Sequence, residues 1–511
     1  MSNDLTPILI GVGEASERID AADYKALSPA DLAAAAARAA CNDALSVEKL
    51  AGEIDVIAAI RQFEVSGPGA VAPFGCSNNF PRSVANRIGA DPARAILEPV
   101  GGQGPQHLVN EMAHAIAEGQ VNMALLVGSE AISTIRHLMG KGEARDWAEA
   151  VDGQLEDRGF GLESLLNPEL AKHGARTPIH LYALFENARR AKTGLDRTAY
   201  ALKMGELFAP FTQVAAGNPH AMAPEVLSAQ DIAEVTPRNR IVSDPFPRRV
   251  IARDQANQGA AVLLTSVGKA RALGVPESQW VYLHGGADVT ERVVIQRQDL
   301  AASPASVLAA KAALDNAGAT LDEIKRFDIY SCFPIAVFNP LDGLDISAED
   351  KRPLTATGGL PFFGGAGNNY SMHGIASMIR DLRAHPGEKG LVTANGGFMS
   401  KYSVGVYSTE PKAWTPFSSK TLQAQIDAWP APALASDGEG VVESYTIDYG
   451  GPAPVATVVA RNAKNERFVA LAPAEDTAMV QSLISAEPLG GTISASLNDK
   501  GRAILTRFTP A

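Results

Sequence analysis

At 511 residues, with 46% hydrophobic and 20% charged side chains, the chain exceeds one small module and has the composition of an ordered globular protein. Its net charge of -12 opposes nucleic-acid binding, which rests on Lys and Arg neutralising phosphates, yet leaves room for a local basic site for a small anion. The three cysteines Cys41, Cys76 and Cys332 contain no CxxC pair, so neither a disulfide framework nor a metal site is expected.

The opening MSNDLTPILIGVGEA lacks the basic start of a secretory signal, and no apolar run reaches membrane-spanning length. A cytoplasmic protein without membrane contact is the expectation.

In chain order, Pro7 to Val12 reads as a buried strand ending at Gly13, and Ser28-Pro29 suit the N-cap and first position of an Ala-rich helix that contains Cys41. Ile54 to Ile60 predicts a second buried strand, followed by a Gly/Pro/Asn-rich segment. After Gly101, Gly102, Gln103 and Gly104, the spacing of Leu108, Met112 and Ile116 predicts a helix with one buried face, stopped at Gly119 and followed by a strand over Met123 to Val127. This is alternating α/β organisation.

Residues 134–240 are richer in charge and predict an inserted, partly helical loop domain. The Gly-rich loop, helix and strand then recur: Gly364, Gly365, Ala366 and Gly367 lead into a helix with Ile375, Met378, Ile379 and Leu382 and the strand GLVTANGG. The recurrence predicts an internal duplication. Beyond Pro411 five alternating strands and one helix around Glu475 to Ile484 predict a small OB-like barrel. The predicted units are residues 1–270, 271–410 and 411–511.

The segment from Glu98 to Ser133, EPVGGQGPQHLVNEMAHAIAEGQVNMALLVGSEAIS, resembles the thiolase superfamily's Cys-Gly-Ser-Gly loop, helix and strand ending in a Gly-Ala-Glu-Ser-like sequence. In that register Gly101 stands at the nucleophilic cysteine, and Gly102 and Gly104 match the following glycines. The Asn-Glu-Ala-Phe or His-Asp-Cys-Phe motif falls on Tyr330, Ser331, Cys332 and Phe333, the Gly-His-Pro loop on Gly364, Gly365 and Ala366, and the Cys-x-Gly motif on Ala394, Asn395 and Gly396. The resemblance covers roughly residues 1 to 410 and is nearest to the thiolase-like proteins with an additional C-terminal domain. It implies an α/β fold, a duplicated five-layered αβαβα core with an inserted loop domain, and the β-rich domain appended.

A Cys-dependent thiolase needs a thiolate to carry the acyl group, a base to form it and a second proton shuttle. Gly101, Gly365 and Ala394 supply none of these. The candidates for replacement chemistry are Tyr330, as acid or polar wall, Asn395, and His373, as base or structural hydrogen-bonding group. Gly102, Gly104, Gly364, Asn368 and Asn369 are the backbone and amide candidates for holding a thioester, the asparagines being equally suited to capping a turn. Arg248 and Arg249, with Arg253, are candidates for CoA phosphates or for a solvated face. Cys332 reads as packing, and His220 and His284 as entrance or surface residues.

No permanently bound cofactor is expected; the implied ligand is a coenzyme A thioester. Two functions stand. One is a Cys-independent enzyme acting on acyl-CoA, by retro-Claisen, hydrolytic or retro-aldol cleavage or acyl transfer. The other is a noncatalytic acyl-CoA or partner-binding scaffold, with the appended domain closing the pocket or recruiting the partner. The family's common dimers imply a homodimer through the core.

Overall fold

The computed structural model describes residues 4–163, 165, 167–347 and 349–511. Its large sheet has ten strands, and the order of nine of them displays the duplication. On one side run Arg94–Glu98, Val56–Ile60, Met123–Ala131, Asn257–Ser266 and Pro7–Ser16; on the other run Ile324–Ile329, Lys389–Gly396, Lys401–Ser408 and Val281–Thr290. The halves meet where Ile8 and Leu9 pair antiparallel with Tyr282 and Val281. The second half has the same strand order, lacking only a counterpart of Arg94–Glu98. The tenth strand, Glu156–Asp157, covers that edge.

Helix Pro29–Ala44 starts as its sequence requires. Ser28 Oγ accepts the Asp31 N–H at 3.1 Å, Asp31 returns the bond to the Ser28 N–H, and Pro29 occupies the first turn. Strand Pro7–Ser16 lies so close to this helix that a Cβ on Gly11 or Gly13 would fall on the carbonyl oxygens of Ala40 and Ala36. The second half repeats the device: a Cβ on Gly285 would meet the backbone of Ala313 and Ala317 in helix Pro304–Ala317. Alanine on the helix and glycine on the strand set this approach in both halves.

Between the two sides of the core lie the helices Gly104–Ala117 and Tyr370–Ala384. Leu108, Met112 and Ile116 are buried, as their spacing requires, and pack with Met372, Ile375 and Ile379 into one apolar layer. Burial at about 2 kcal/mol per large aliphatic side chain makes this layer a main source of cohesion between the halves. Separate apolar clusters cover the outer faces, giving the αβαβα layering expected from the resemblance.

The segment inserted in the first half, between Met123–Ala131 and Asn257–Ser266, is largely helical, with Pro178–Thr193 and Arg197–Gly217 its longest elements. At the C-terminal end Gly438–Asp448, Val455–Arg461, Arg467–Ala472, Ala503–Thr509 and Thr492–Leu497 pair in that order, and Gly438–Asp448 pairs with both Val455–Arg461 and Thr492–Leu497. The five strands therefore close on themselves around their own apolar core, with helix Thr477–Ser485 between the third and fourth in sequence. This is the OB-like barrel. Ile241–Ser243 adds to its sheet from outside.

Buried arginines fasten the barrel. Arg190, 1% exposed, pairs with Glu487 and donates to Tyr445 Oη, while Arg467 donates to Ile295 O at 2.8 Å and pairs with Glu443. Among the described residues no helix is long and apolar enough to cross a membrane.

Candidate functional site

A cavity of about 840 Å³ opens where the Gly-rich loops of both halves converge beneath the helical segment. Gly101 and Gly102 line it from the first half, and Tyr330, Cys332, Gly365, Gly367, Asn368, Asn395 and Gly396 from the second. All its lining residues lie at or before Phe398, so the barrel contributes none of them.

The floor is held across the halves. Asn368 Oδ1 accepts the Gly101 N–H at 3.1 Å while its Nδ2 donates to Arg61 O at 2.8 Å and Ser66 Oγ at 3.2 Å. Ser371 Oγ donates to Gly102 O, and Lys401 Nζ donates to Val100 O at 3.0 Å. Gly101 has φ +147°, a backbone conformation that favours glycine, and a Cβ there would displace the end of the Gln103 side chain. A Cβ on Gly102 would fall on Tyr330 Oη.

Tyr330 is buried and its phenol is pushed well above its ordinary value by burial, so at neutral pH it is a hydrogen-bond donor. Asn395 Nδ2 donates to Tyr182 Oη at 3.2 Å, leaving its buried Oδ1 without a protein partner. Tyr182 stacks on Phe333 at 4.4 Å and shares a hydrogen bond with Cys332. Burial pushes the Cys332 thiol up to about 12, which denies it a thiolate at neutral pH. The adjoining turn holds Phe398 and Met399 at φ +60° and +58°, a strained conformation for side-chain-bearing residues. Arg297, donating to both carbonyls, braces it.

One wall carries Arg238, Arg240, Arg248, Arg249 and Arg253. The chain from 252 to 253 is stitched to the second half: Ala252 N–H donates to Cys332 O at 2.9 Å, Arg253 N–H to Leu360 O at 3.1 Å, and Gly365 N–H to Arg253 O at 2.7 Å. Among the described residues none of these five arginines makes an ion pair with a carboxylate. The neighbouring Asp254 is engaged by Arg136 instead. Arg253 is held below its usual value by burial and by the charge of Arg248. The cavity lining thus holds five arginines against two carboxylates, Glu225 and Asp254, a local excess of positive charge in a protein of net charge -12.

Of the sequence candidates, Tyr330, Asn395, Gly102, Asn368, Arg248 and Arg249 meet at this cavity. Gly104, Gly364, Asn369 and His373 are not on its wall. Gly104 begins the central helix, and Gly364, at φ +127°, abuts Gln258. Asn369 packs against Gly128. His373 is fully buried, with Nδ1 2.6 Å from Glu14 Oε1 and its ring edge-on to Phe363. Burial alone would raise the Glu14 carboxyl, but the hydrogen bond and charge of His373, with Arg380, outweigh it and hold the group at about 2. His373 is therefore placed in a buried ionic cluster. Tyr182, Arg238 and Arg240 were not among the sequence candidates.

Among the described residues no group of three or more His, Cys, Asp or Glu side chains is arranged to hold a metal.

Comparison with known proteins gives the context. Residues 421–500 match the family model described as the thiolase-like protein type 1 additional C-terminal domain. No protein with a curated description matches the sequence. Among solved structures, the monomeric SCP2-thiolase-like protein type 1 from Mycobacterium smegmatis is 41% identical with a TM-score of 0.85, over 99% of this chain and 100% of that one. The dimeric peroxisomal thiolase of Saccharomyces cerevisiae, 15% identical, gives 0.58 over 80% of this chain and 99% of its own. The human mitochondrial 3-ketoacyl-CoA thiolase in complex with CoA, also 15% identical, gives 0.56 over 80% and 100%. The last two establish the fold alone. With the near-complete match at 41% identity, the chain belongs to the SCP2-thiolase-like protein type 1 family.

Proposed function

We propose that the cavity binds a coenzyme A thioester, its phosphates on the arginine wall and its thioester near Gly102, Tyr330 and Asn395. The observation that carries this reading is the excess of five arginines over two carboxylates in the lining of one cavity, with none of the five in a close ion pair among the described residues. Charge-assisted hydrogen bonds from guanidinium groups to phosphate oxygens are the contacts such a wall favours. The fold is that of a thiolase solved with CoA, which supports the same class of ligand.

Chemistry at this site proceeds without a cysteine thiolate, since the sequence has Gly101 and Ala394 at the family's cysteine positions and Cys332 is held protonated. Tyr330 donates a hydrogen bond to a thioester carbonyl, and the Asn395 amide helps to orient that carbonyl. The reaction classes that fit are cleavage of a β-ketoacyl-CoA or β-hydroxyacyl-CoA and acyl transfer without an acyl-enzyme.

A second reading, binding without turnover, is favoured by a specific observation: Tyr182, Tyr330 and Cys332 on the wall are all shifted upward by burial, away from ready proton release. Incubation with acyl-CoA, β-ketoacyl-CoA and β-hydroxyacyl-CoA panels, followed by mass analysis, separates the two. Cleaved thioester without a protein adduct, abolished in Tyr330→Phe, supports the enzyme; intact thioester with every compound supports the binding protein.

For assembly we propose a monomer in place of the homodimer. The edge strand Arg94–Glu98 is already covered by Glu156–Asp157, with Arg94 paired to Glu156, and the Mycobacterium smegmatis relative is described as monomeric. Light scattering on the purified chain decides it. The free thiols of Cys41, Cys76 and Cys332 fit a reducing compartment, and cytoplasm is the location proposed.

A further inference from the structure

Thioester chemistry at this cavity needs a group that exchanges a proton near neutral pH, and the tyrosines and cysteine on its wall do not provide one. Behind the wall lies a pair that does. Glu130, 2% exposed at the end of strand Met123–Ala131, accepts the Phe63 N–H at Oε1 over 2.9 Å. Phe63 and Gly367 both line the cavity, and the place a Cβ on Gly367 would take is occupied by Glu130 Oε1. At that point the wall is one glycine thick.

Glu64, half-buried in the turn Phe63–Val65, lies close enough for its charge to act on Glu130, and its buried Oε2 has no protein partner. Among the described residues neither carboxyl is ion-paired. The titratable groups facing the pair are each other and, beyond Glu64, Cys76. A buried carboxylate without a cation is costly, so the pair retains a proton. Burial, with the charge of Glu64 added, raises Glu130 to about 8, and burial raises Glu64 to about 7.

A second feature points to a ligand or water at this place. Asn369 is 1% exposed, and neither its Oδ1 nor its Nδ2 has a partner. It follows Gly367 in the same turn and projects against Gly128, two residues before Glu130 on the same face of the strand. The amide and the carboxyl thus share the space between turn and strand.

We propose that Glu130 and Glu64 form a proton-exchanging carboxyl pair that serves the cavity across Gly367. In the donating direction the O–H bond of the Glu130 acid breaks, its electron pair stays on the carboxylate, and the proton passes to the ligand oxygen through a water at Asn369. Glu64, open to solvent on its other side, takes a proton from bulk water and restores the pair. The reverse sequence accepts a proton from the ligand. This inference rests on the cavity being a CoA-thioester site.

Infrared spectra of the full chain across a pH series, with and without saturating CoA, test it. The wild type is expected to show a protonated-carboxyl band with a component that fades as pH rises through about 8, and that component is lost in Glu130→Gln. Glu64→Gln, which removes the like charge, moves the fading to lower pH by about one unit. Bound CoA, a polyanion, moves it to higher pH. A band unaffected by Glu130→Gln overturns the proposal, as does a midpoint that Glu64→Gln leaves in place. CoA that binds by calorimetry without moving the midpoint also overturns it. CoA that gives no binding heat overturns the reading of the cavity instead. Should Glu130→Gln fail to fold, the Glu64→Gln and CoA shifts decide.

Discussion

Asn368 Oδ1 accepts the Gly101 N–H at 3.1 Å, joining the loop that opens one central helix to the loop that opens the other. The donor and the acceptor are 267 residues apart, and both are buried. Replacing Asn368 by Ala leaves a buried N–H unpaired, which costs about 1 to 3 kcal/mol. The expected result in urea unfolding is a lower midpoint by that amount, together with weaker CoA binding; Asn368→Asp, which keeps the acceptor, retains more of both.

Restoring the family's nucleophile does not restore its chemistry. Gly101→Cys places a Cβ on Gln103 Oε1 at a backbone φ of +147° and finds Gly365 where the activating histidine would be. The expected outcome is a protein less stable by about 1 to 3 kcal/mol with no acetylated cysteine after incubation with acetyl-CoA, read by intact mass. Stable acetylation contradicts this account of the loop.

The arginine wall separates binding from stability. Arg253 is half-buried beside the like-charged Arg248 and among the described residues has no close carboxylate ion pair, so Arg253→Ala is expected to leave thermal unfolding unchanged or slightly raised. CoA affinity falls about tenfold in the same variant, the scale of one charged hydrogen bond. An equal loss of stability and affinity would show that Arg253 supports the fold.

The Glu14, His373 and Arg380 cluster predicts an acid limb. An acid held at about 2 against an ordinary 4.5 lends stability above pH 4.5 that is lost as pH falls through about 2. Wild type should therefore lose a few kcal/mol over that window, and Glu14→Gln should be flatter there. His373→Ala, which removes the hydrogen-bond partner of the buried Glu14 carboxylate, is expected to cost about 1 to 3 kcal/mol at neutral pH. Denaturant midpoints from pH 7 to pH 2 check both.

How much of this was legible in the sequence depended on distance along the chain. The central helix over Leu108, Met112 and Ile116 was readable because one turn carries its own burial pattern. The capping of Pro29–Ala44 was readable for the same reason. The short strand Arg94–Glu98 escaped the reading, because five residues carry too little periodicity to stand out. Tyr182 was hidden because its partners Asn395 and Cys332 come from the other half, and nothing within HLYALFENARR distinguishes its hydroxyl from a core aromatic. Arg238 and Arg240 had a signal: residues 238–253 contain five arginines and one acid, an imbalance in an acidic chain. His373 read as either a base or a structural hydrogen-bonding group because it follows a Gly-rich loop, and only the fold brings Glu14 to it.

The central claim is that the cavity is a CoA site, and titration calorimetry of CoA into the wild-type protein at low and raised salt tests it most directly. The account predicts saturable binding at one site, weakened by salt as counter-ions compete for the arginine wall, and abolished by charge reversal at Arg248 and Arg249. No binding heat at low salt, or binding indifferent to salt and to those substitutions, would contradict it.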